Sequence, residues 1–250
     1  MSSKRFYRHL PAGKRFRTFT VGVKETDLWI AVTSRCYDPA FPALVEQLVW
    51  RQRRQLENFM AGNPAFATAM QPLVLDGEGI PGIVLAMVEA ANRAGVGPMA
   101  AVAGVFSEIV GLFLLQSAPE VIVENGGDLF VRVVEPVNIG IYAGSSPLSG
   151  KIALNVKPKQ TPLGICTSSG TIGPSYSLGR ADAALVLSPS VPLADAAATA
   201  LGNLVRGPED LMGAIEFARG LHGVTGALVI YGDQVAAWGE IQLCPGERKD

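Results

Sequence analysis

The amino-acid sequence predicts an α+β fold in which antiparallel sheets pack with helices in a single compact unit. Helical apolar patterns fill the first part of the chain, and short apolar segments separated by short turns follow one another after residue 119. Short turns favour antiparallel pairing, because parallel strands need long crossover connections. No fixed-period repeat, charge block or low-complexity linker divides the chain. We therefore treat residues 1–250 as one domain, with a helical part over 1–118 and a sheet-rich part over 119–250.

The helical part is predicted to begin with a hairpin. Residues 15–34 alternate polar and apolar on both sides of a short polar turn, which is typical of two antiparallel strands. Capping and breaking residues then bracket helices over 40–60 and 83–94. The apolar stretch that follows is interrupted by Glu108, whereas a membrane span usually runs about 20 residues without a charge. We expect a buried core helix over 98–117.

The sheet-rich part is predicted to contain short strands, two helices and a closing hairpin. Apolar and β-branched residues bounded by turn residues indicate strands over 120–124, 128–134, 137–143, 151–156, 163–168 and 181–188. Helical patterns follow over 192–205 and 208–220. The last hairpin spans 225–240 and turns at Gly232-Asp233.

Charge and cysteine content exclude several classes of protein. The net charge is −1, with 21 basic and 22 acidic residues, so no global field attracts nucleic acid or an anionic membrane. Three widely spaced cysteines, Cys36, Cys166 and Cys244, form neither a disulfide framework nor a zinc knuckle. No secretory signal pattern opens the chain. We expect a cytoplasmic protein that binds a small molecule and has neither nucleic acid nor membrane as a partner.

The first polar motif of interest is Asn125-Gly126-Gly127-Asp128, which lies between two apolar strands. Asn-Gly is a strong hairpin signal, because both residues tolerate positive φ. Two adjacent glycines and a carboxylate also leave bare backbone that a planar or anionic ligand can approach closely. The motif is therefore either an ordinary hairpin turn or one wall of a ligand site.

A second motif lies in the loop over 164–179, which contains Thr167, Ser168, Ser169 and Gly170. Backbone N–H groups and hydroxyls without a charge of their own suit phosphate oxygens. The Gly-Lys-Ser/Thr ending of a P-loop is absent, which excludes that mechanism. A solvated connector is the alternative to a phosphate-binding loop.

The third motif is a predicted helix on which Asp195 and Thr199 stand four residues apart and share one face. A carboxylate and a hydroxyl are hard oxygen ligands, which suit Mg²⁺. The alternative is an aspartate favoured by the helix dipole and a threonine bonded back to a carbonyl. Cys166, near the second motif, is either a nucleophile or a small buried apolar residue.

The order of the segments "ENGGD", "CTSSG" and "ADAAATA" resembles the ApbE superfamily, whose best-known members are FAD:protein FMN transferases. Those enzymes carry an Asn-x-Gly-Gly-Asp/Glu turn, a Thr-Ser-Gly segment and an Ala-Asp-x-x-x-Thr helix. The resemblance covers about residues 95–240. "GVGPMAAVAGVFSEIVG" and "ENGGDLF" are similar to an uncharacterised ApbE-related branch of archaea and anaerobic bacteria. The resemblance implies a T-fold-like α+β fold.

The resemblance also implies a Mg²⁺ site that binds FAD or another nucleotide. Asp195 and Thr199 would hold the metal together with a backbone carbonyl near Gly164. Residues 125–128 would border the ligand, and residues 167–170 would face its phosphates. Weak catalytic candidates are Asp195 and Cys166.

The reaction implied is FMN transfer or FAD hydrolysis by a Mg²⁺-dependent enzyme. The chain reads "SYSLGRADAALVL" where the transferases carry a His-x-x-Asp-Pro segment, so the reaction carries over less directly than the nucleotide site. One alternative is a sulfur-assimilation, homocysteine-forming enzyme on the same scaffold, which would use Cys166. Another is a non-catalytic nucleotide or flavin binder. We also expect a homo-oligomer formed through sheet edges.

Overall fold

The structure, a computed structural model, describes residues 15–169 and 179–246. These residues contain six α-helices and eleven strands. The helices are α1 (Phe41–Gly62), α2 (Pro64–Thr68), α3 (Gly82–Ala94), α4 (Val102–Leu114), α5 (Val191–Leu204) and α6 (Leu211–Gly220). The strands are β1 (Phe16–Val23), β2 (Thr26–Thr33), β3 (Val121–Asn125), β4 (Asp128–Arg132), β5 (Val137–Gly140), β6 (Ile152–Val156), β7 (Leu163–Ser168), β8 (Ala183–Ser188), β9 (Gly226–Tyr231), β10 (Gln234–Gly239) and β11 (Leu243–Pro245).

The strands form two antiparallel sheets. The large sheet has eight strands in the order β1-β2-β3-β4-β7-β8-β9-β10, and the small sheet has three in the order β11-β6-β5. Every pairing within them is antiparallel. The predicted α+β class with antiparallel sheets and packed helices is therefore confirmed.

The large sheet separates two apolar cores, because successive side chains of a strand point to opposite faces. In β3, Val121 and Val123 pack in the core under the helices, whereas Ile122 packs in the core under the small sheet. All three side chains are fully buried. A strand buried on both faces reads as a continuous apolar run rather than an alternating one.

The predicted elements agree closely with the observed ones, with a few local differences. The helix predicted over 98–117 begins as a 3₁₀ turn at Pro98–Ala101, continues as α4 and ends at Leu114. Strand β5 ends at Gly140, before the predicted end at 143. Strand β11 was not predicted, since its three residues include a proline and carry no apolar alternation.

Within the described residues, no single helix has both the length and the apolar character of a membrane span. Helix α3 and the segment Pro98–Leu114 reach that threshold only when taken together, and the chain bends by 104° between them. The expectation of a buried core helix is met at α4, where Val105, Phe106, Val110 and Leu114 are all buried.

Helix α4 packs on the large sheet through Gly111, where a side chain would collide with the ring of Phe130. A Cβ atom at Gly111 would lie 2.2 Å from the nearest ring carbon, and Phe130 is itself 2% exposed. Because the ring is enclosed, it cannot move away without disturbing the core. The glycine therefore sets how closely α4 approaches β4.

We expect Gly111→Ala to lower the free energy of unfolding by about 1–3 kcal/mol, because overpacking outweighs the higher helix propensity of alanine. Gly213→Ala is the matched control, since Gly213 also lies within a helix but has no atom within 4 Å of the added Cβ. That control should be neutral or stabilising by up to about 1 kcal/mol. Urea unfolding of both variants measures the difference, and equal effects would contradict the proposed steric role.

Candidate functional site

The described residues of the three sequence motifs meet where the central strands β4 and β7 of the large sheet reach one end. We call this place the sheet edge. Strands β4 and β7 are antiparallel, and Asp128 at the start of β4 lies opposite Cys166 near the end of β7. The first turn of α4 lies against the same edge, since Asn125 Nδ2 donates a hydrogen bond to Ala103 O at 3.2 Å. Ser107 Oγ donates to Asp128 O at 2.9 Å and so fixes α4 to the other side of the turn.

The Asn125–Asp128 segment is a two-residue hairpin turn. Gly126 and Gly127 have φ values of 70° and 112°, a region that side chains rarely adopt. Gly127 N donates to Glu124 Oε1 at 2.8 Å, which closes the turn. The hairpin interpretation is confirmed, and the turn alone accounts for both glycines. Contact with a ligand stays a prediction.

Asp128, Cys166 and Asp195 form a buried polar cluster beneath this turn. Both aspartates are 8% exposed, and Cys166 is fully buried. Burial, together with the charge of Glu124, raises the pKa of Asp128 to about 7, although a hydrogen bond from the Cys166 thiol opposes this. Burial and the charge of Asp128 likewise raise the pKa of Asp195 well above its usual range.

The Cys166 thiol is poorly suited to act as a nucleophile. Burial raises its pKa well above the ordinary value, and the charges of Asp128 and Asp195 raise it further. Its Sγ lies 3.6 Å from Val191 O. A reactive cysteine needs an exposed thiolate in electropositive surroundings, which is the opposite of this environment. The structure therefore supports the alternative that Cys166 is a small buried side chain.

Asp195 accepts a hydrogen bond from the amino-terminal turn of a different helix. Its Oδ2 lies 2.7 Å from Gly104 N, the third residue of α4. A Cβ at Gly104 would lie 2.7 Å from Val191 O and 2.8 Å from Asp195 Cβ, so only glycine allows this approach. The first amides of a helix lack partners within it and carry positive partial charge. The helix dipole that stabilises the charged form of Asp195 is therefore that of α4 and not that of its own helix, α5.

Glu108 makes the reciprocal contact and was not singled out as a functional residue from the sequence. Its Oε1 accepts a hydrogen bond from Val191 N, the first amide of α5, at 3.0 Å. Each of the two helices therefore caps the amino end of the other with a carboxylate. The sequence does contain a signal, namely one charge within an otherwise apolar helix.

The other two predicted metal ligands, Thr199 and Gly164, lie in opposite directions along the axis of α5 from Asp195. Thr199 is half-buried and lies one helical turn after it. Gly164 belongs to β7 and packs against Val191, which lies one helical turn before Asp195; a Cβ at Gly164 would be 2.7 Å from Val191 Cα. The roles of Thr199 and of the Gly164 carbonyl stay predictions.

The predicted phosphate-facing residues lie where β7 leaves the sheet. Thr167, Ser168 and Ser169 are half-buried. The backbone of Thr167 donates to Asp128, which connects this segment with the buried cluster. Ser168 Oγ lies 3.4 Å from the Cβ position of Gly202 near the end of α5. The fourth predicted residue, Gly170, lies outside the described residues.

The donor set fits Mg²⁺ in chemistry and in charge. Asp195 and Thr199 offer hard oxygen ligands, and among the described residues no basic side chain contributes to the pKa shifts of the Asp128 and Asp195 carboxylates. Two buried carboxylates without a countercharge favour a bound cation or a proton. Residues 15–169 and 179–246 contain no group of three or more His, Cys, Asp or Glu side chains that could hold a metal. Mg²⁺ usually completes its shell with waters and phosphates, so few protein ligands suffice.

Comparisons with known proteins agree with this fold and motif order. A family model described as AbpE bacteria matches residues 8–218. A UPF0280 protein of Methanocella arvoryzae is 43% identical over 205 residues, which cover 82% of each chain. A UPF0280 protein of Methanosarcina acetivorans is 41% identical over 212 residues, covering 84% of this chain and 83% of the relative.

Solved structures with the same fold share much less sequence. The flavin transferase ApbE from Vibrio cholerae matches with a TM-score of 0.58 at 13% identity, covering 90% of this chain and 96% of that one. The apo form of the flavinyl transferase ApbE from Pseudomonas stutzeri matches with a TM-score of 0.52 at 13% identity, covering 90% and 94%. Similarity at this level establishes the fold alone. The chain therefore belongs to the AbpE bacteria family, an ApbE-related branch that includes archaeal UPF0280 proteins, and it has the ApbE fold.

Proposed function

We propose that the protein binds FAD or a related nucleotide through its pyrophosphate in a Mg²⁺-dependent manner, and that it transfers the FMN group or hydrolyses FAD. The observation that carries this proposal is the convergence of the Asn125–Asp128 turn, the end of β7 and Asp195 at the first turn of α4. Solved proteins of the same fold are flavin transferases by name, which supports the ligand class.

Each group at this edge has a specific chemical role in the proposal. Asp195 and Thr199 would hold Mg²⁺, which when bound would neutralise pyrophosphate oxygens and polarise the bond to be broken. The hydroxyls of Thr167 and Ser168 would donate hydrogen bonds to phosphate oxygens. Gly126 is exposed and has no side chain, so a flat ring system could lie against its backbone.

Asp128 is the described side chain best suited to accept a proton near neutral pH. A general base works most efficiently when its pKa is close to the operating pH, and the pKa of Asp128 is raised to about 7. Its carboxylate could take the proton of an attacking water or of a hydroxyl on a target protein. Cys166 offers no such route, since its thiol is buried and its pKa is raised. The sulfur-assimilation hypothesis therefore has no support at this cysteine.

We expect FAD with Mg²⁺ to raise the thermal unfolding midpoint, and we expect Asp195→Asn to remove the Mg²⁺ dependence. The amide keeps an oxygen that can accept from Gly104 N but loses the charge that would attract the cation. A ligand at about 100 times its Kd stabilises the folded state by about 2.7 kcal/mol. Thermal shift with FAD, FMN and ADP, each with and without Mg²⁺, measures this effect, and chromatography detects FMN and AMP as products.

Asp210→Asn is the control for this experiment, because Asp210 also accepts two backbone amides, those of Arg206 and Gly207. It should retain the full Mg²⁺ dependence. Failure of every flavin and adenine nucleotide to shift the midpoint, with or without Mg²⁺, would exclude the proposed ligand. A FAD shift that is independent of Mg²⁺ and unchanged in Asp195→Asn would exclude the metal site while leaving the flavin site.

The contribution of Asp128 to the stability of the ligand-free protein should fall as the pH rises from about 4 to about 7. The pKa of Asp128 in the folded state, about 7, lies above its ordinary value of 3.8. The folded protein therefore keeps a proton that the unfolded chain releases in this window, and its stability declines as that proton is lost. Urea unfolding across the window should show a weaker pH dependence for Asp128→Asn than for the unmodified protein. The same slope in both proteins would show that Asp128 titrates normally.

A further inference from the structure

A groove between α1, α3 and α4 shares no residue with the three motifs of the candidate site. It is an open groove of about 320 Å³, near the lower end of the range of small-molecule sites, about 300–1,000 Å³. The residues that give it chemical character are Gln52 and Gln55 from α1, Ile83 from α3, and Val105, Glu108 and Ile109 from α4.

The charge of the groove comes from one side chain. Glu108 is the single charged residue in its described lining. One carboxylate oxygen accepts from Val191 N, and within the described residues Glu108 forms no ion pair. Burial raises the pKa of Glu108, since the loss of water costs more than the single amide hydrogen bond returns. A cation beside the carboxylate would supply the missing countercharge.

The other lining residues are apolar side chains from α3 and α4 and neutral polar side chains from α1. Ile83 and Val105 are 3% and 1% exposed, and Ile109 is half-buried. Gln52 and Gln55 also line the groove, and the oxygen of a glutamine carboxamide can accept a hydrogen bond from an ammonium group. A ligand complementary to this lining has a positively charged group that contacts the Glu108 carboxylate and an adjoining methylene chain that contacts the apolar side chains.

We propose that this groove binds an alkylammonium group, with the ammonium at Glu108 and the methylenes against Ile83, Val105 and Ile109. The same chemistry is offered by a free aliphatic amine and by a lysine side chain of a partner protein. The proposal does not rest on the proposed function, because the groove contains none of the residues proposed to bind Mg²⁺ or the nucleotide.

Calorimetric titration with butylammonium chloride, and separately with an acetylated and amidated Gly-Lys-Gly peptide, tests the proposal in buffer without Mg²⁺ or flavin. Glu108→Gln should weaken binding of the amine by about 10-fold or more, because the hydrogen bonds to a charged group are lost. The glutamine oxygen can still accept from Val191 N, so the cap on α5 is kept. Glu46→Gln, an exposed position on α1, is the control and should bind as the unmodified protein does.

Butanol and butyrate should not bind, since neither supplies a cation. Tighter binding of the peptide than of butylammonium would identify a partner's lysine as the source, and the reverse order would identify a free amine. Absence of binding to the unmodified protein, or equal binding to Glu108→Gln, would overturn the proposal. If Glu108→Gln does not fold, Gln52→Glu places a second carboxylate in the groove and should tighten amine binding; no change in that variant would overturn the proposal equally.

Discussion

The contact between α4 and α5 at Gly104 is the constraint on which the candidate site depends. Helices approach this closely only where a side chain is missing, and a Cβ at Gly104 would collide with Val191 and Asp195. The approach lets each helix use a carboxylate of the other as a cap: Asp195 of α5 caps the amino end of α4, and Glu108 of α4 caps the amino end of α5. Since the hydrogen bonds from Asn125 and Ser107 attach the sheet edge to the first two turns of α4, the position of the site follows from the position of this helix pair.

This arrangement buries two carboxyl groups, Asp128 and Asp195, in the core. Asp195 accepts hydrogen bonds from backbone amides, and Asp128 accepts them from a thiol and an amide, yet neither is paired with a basic side chain within residues 15–169 and 179–246. Hydrogen bonds offset only part of the cost of burying a carboxylate, and the rest must be met by a proton or a cation. Perturbed acids of this kind concentrate at functional sites. Ionisation of these carboxyl groups would lower the stability of the ligand-free protein, and the same charge would give the site its affinity for a divalent cation.

The sequence predicted the elements well because alternation and turn residues are local properties. The order of the three motifs also predicted the family and its fold, whereas their roles in binding stay predictions. It could not predict that Asp128 lies opposite Cys166, because this depends on the pairing of β4 with β7 across a long insertion. Nor could it assign Asp195 to the amino end of α4, since a helical pattern shows only which residues share a face. Glu108 was seen only as an interruption of an apolar run.

The structure also changes which part of the Asn125–Asp128 motif suggests a ligand. Both glycines have positive φ, as a two-residue hairpin turn requires at its two central positions, so the turn needs them whether or not a ligand is present. The turn does not require buried polar side chains on either side. Asn125 and Asp128 are 7% and 8% exposed, where an apolar pair would be more stable. Asn125 holds α4, whereas the carboxyl group of Asp128 is buried with hydrogen-bond donors but without a basic partner among the described residues, so Asp128 most directly indicates chemistry at this edge.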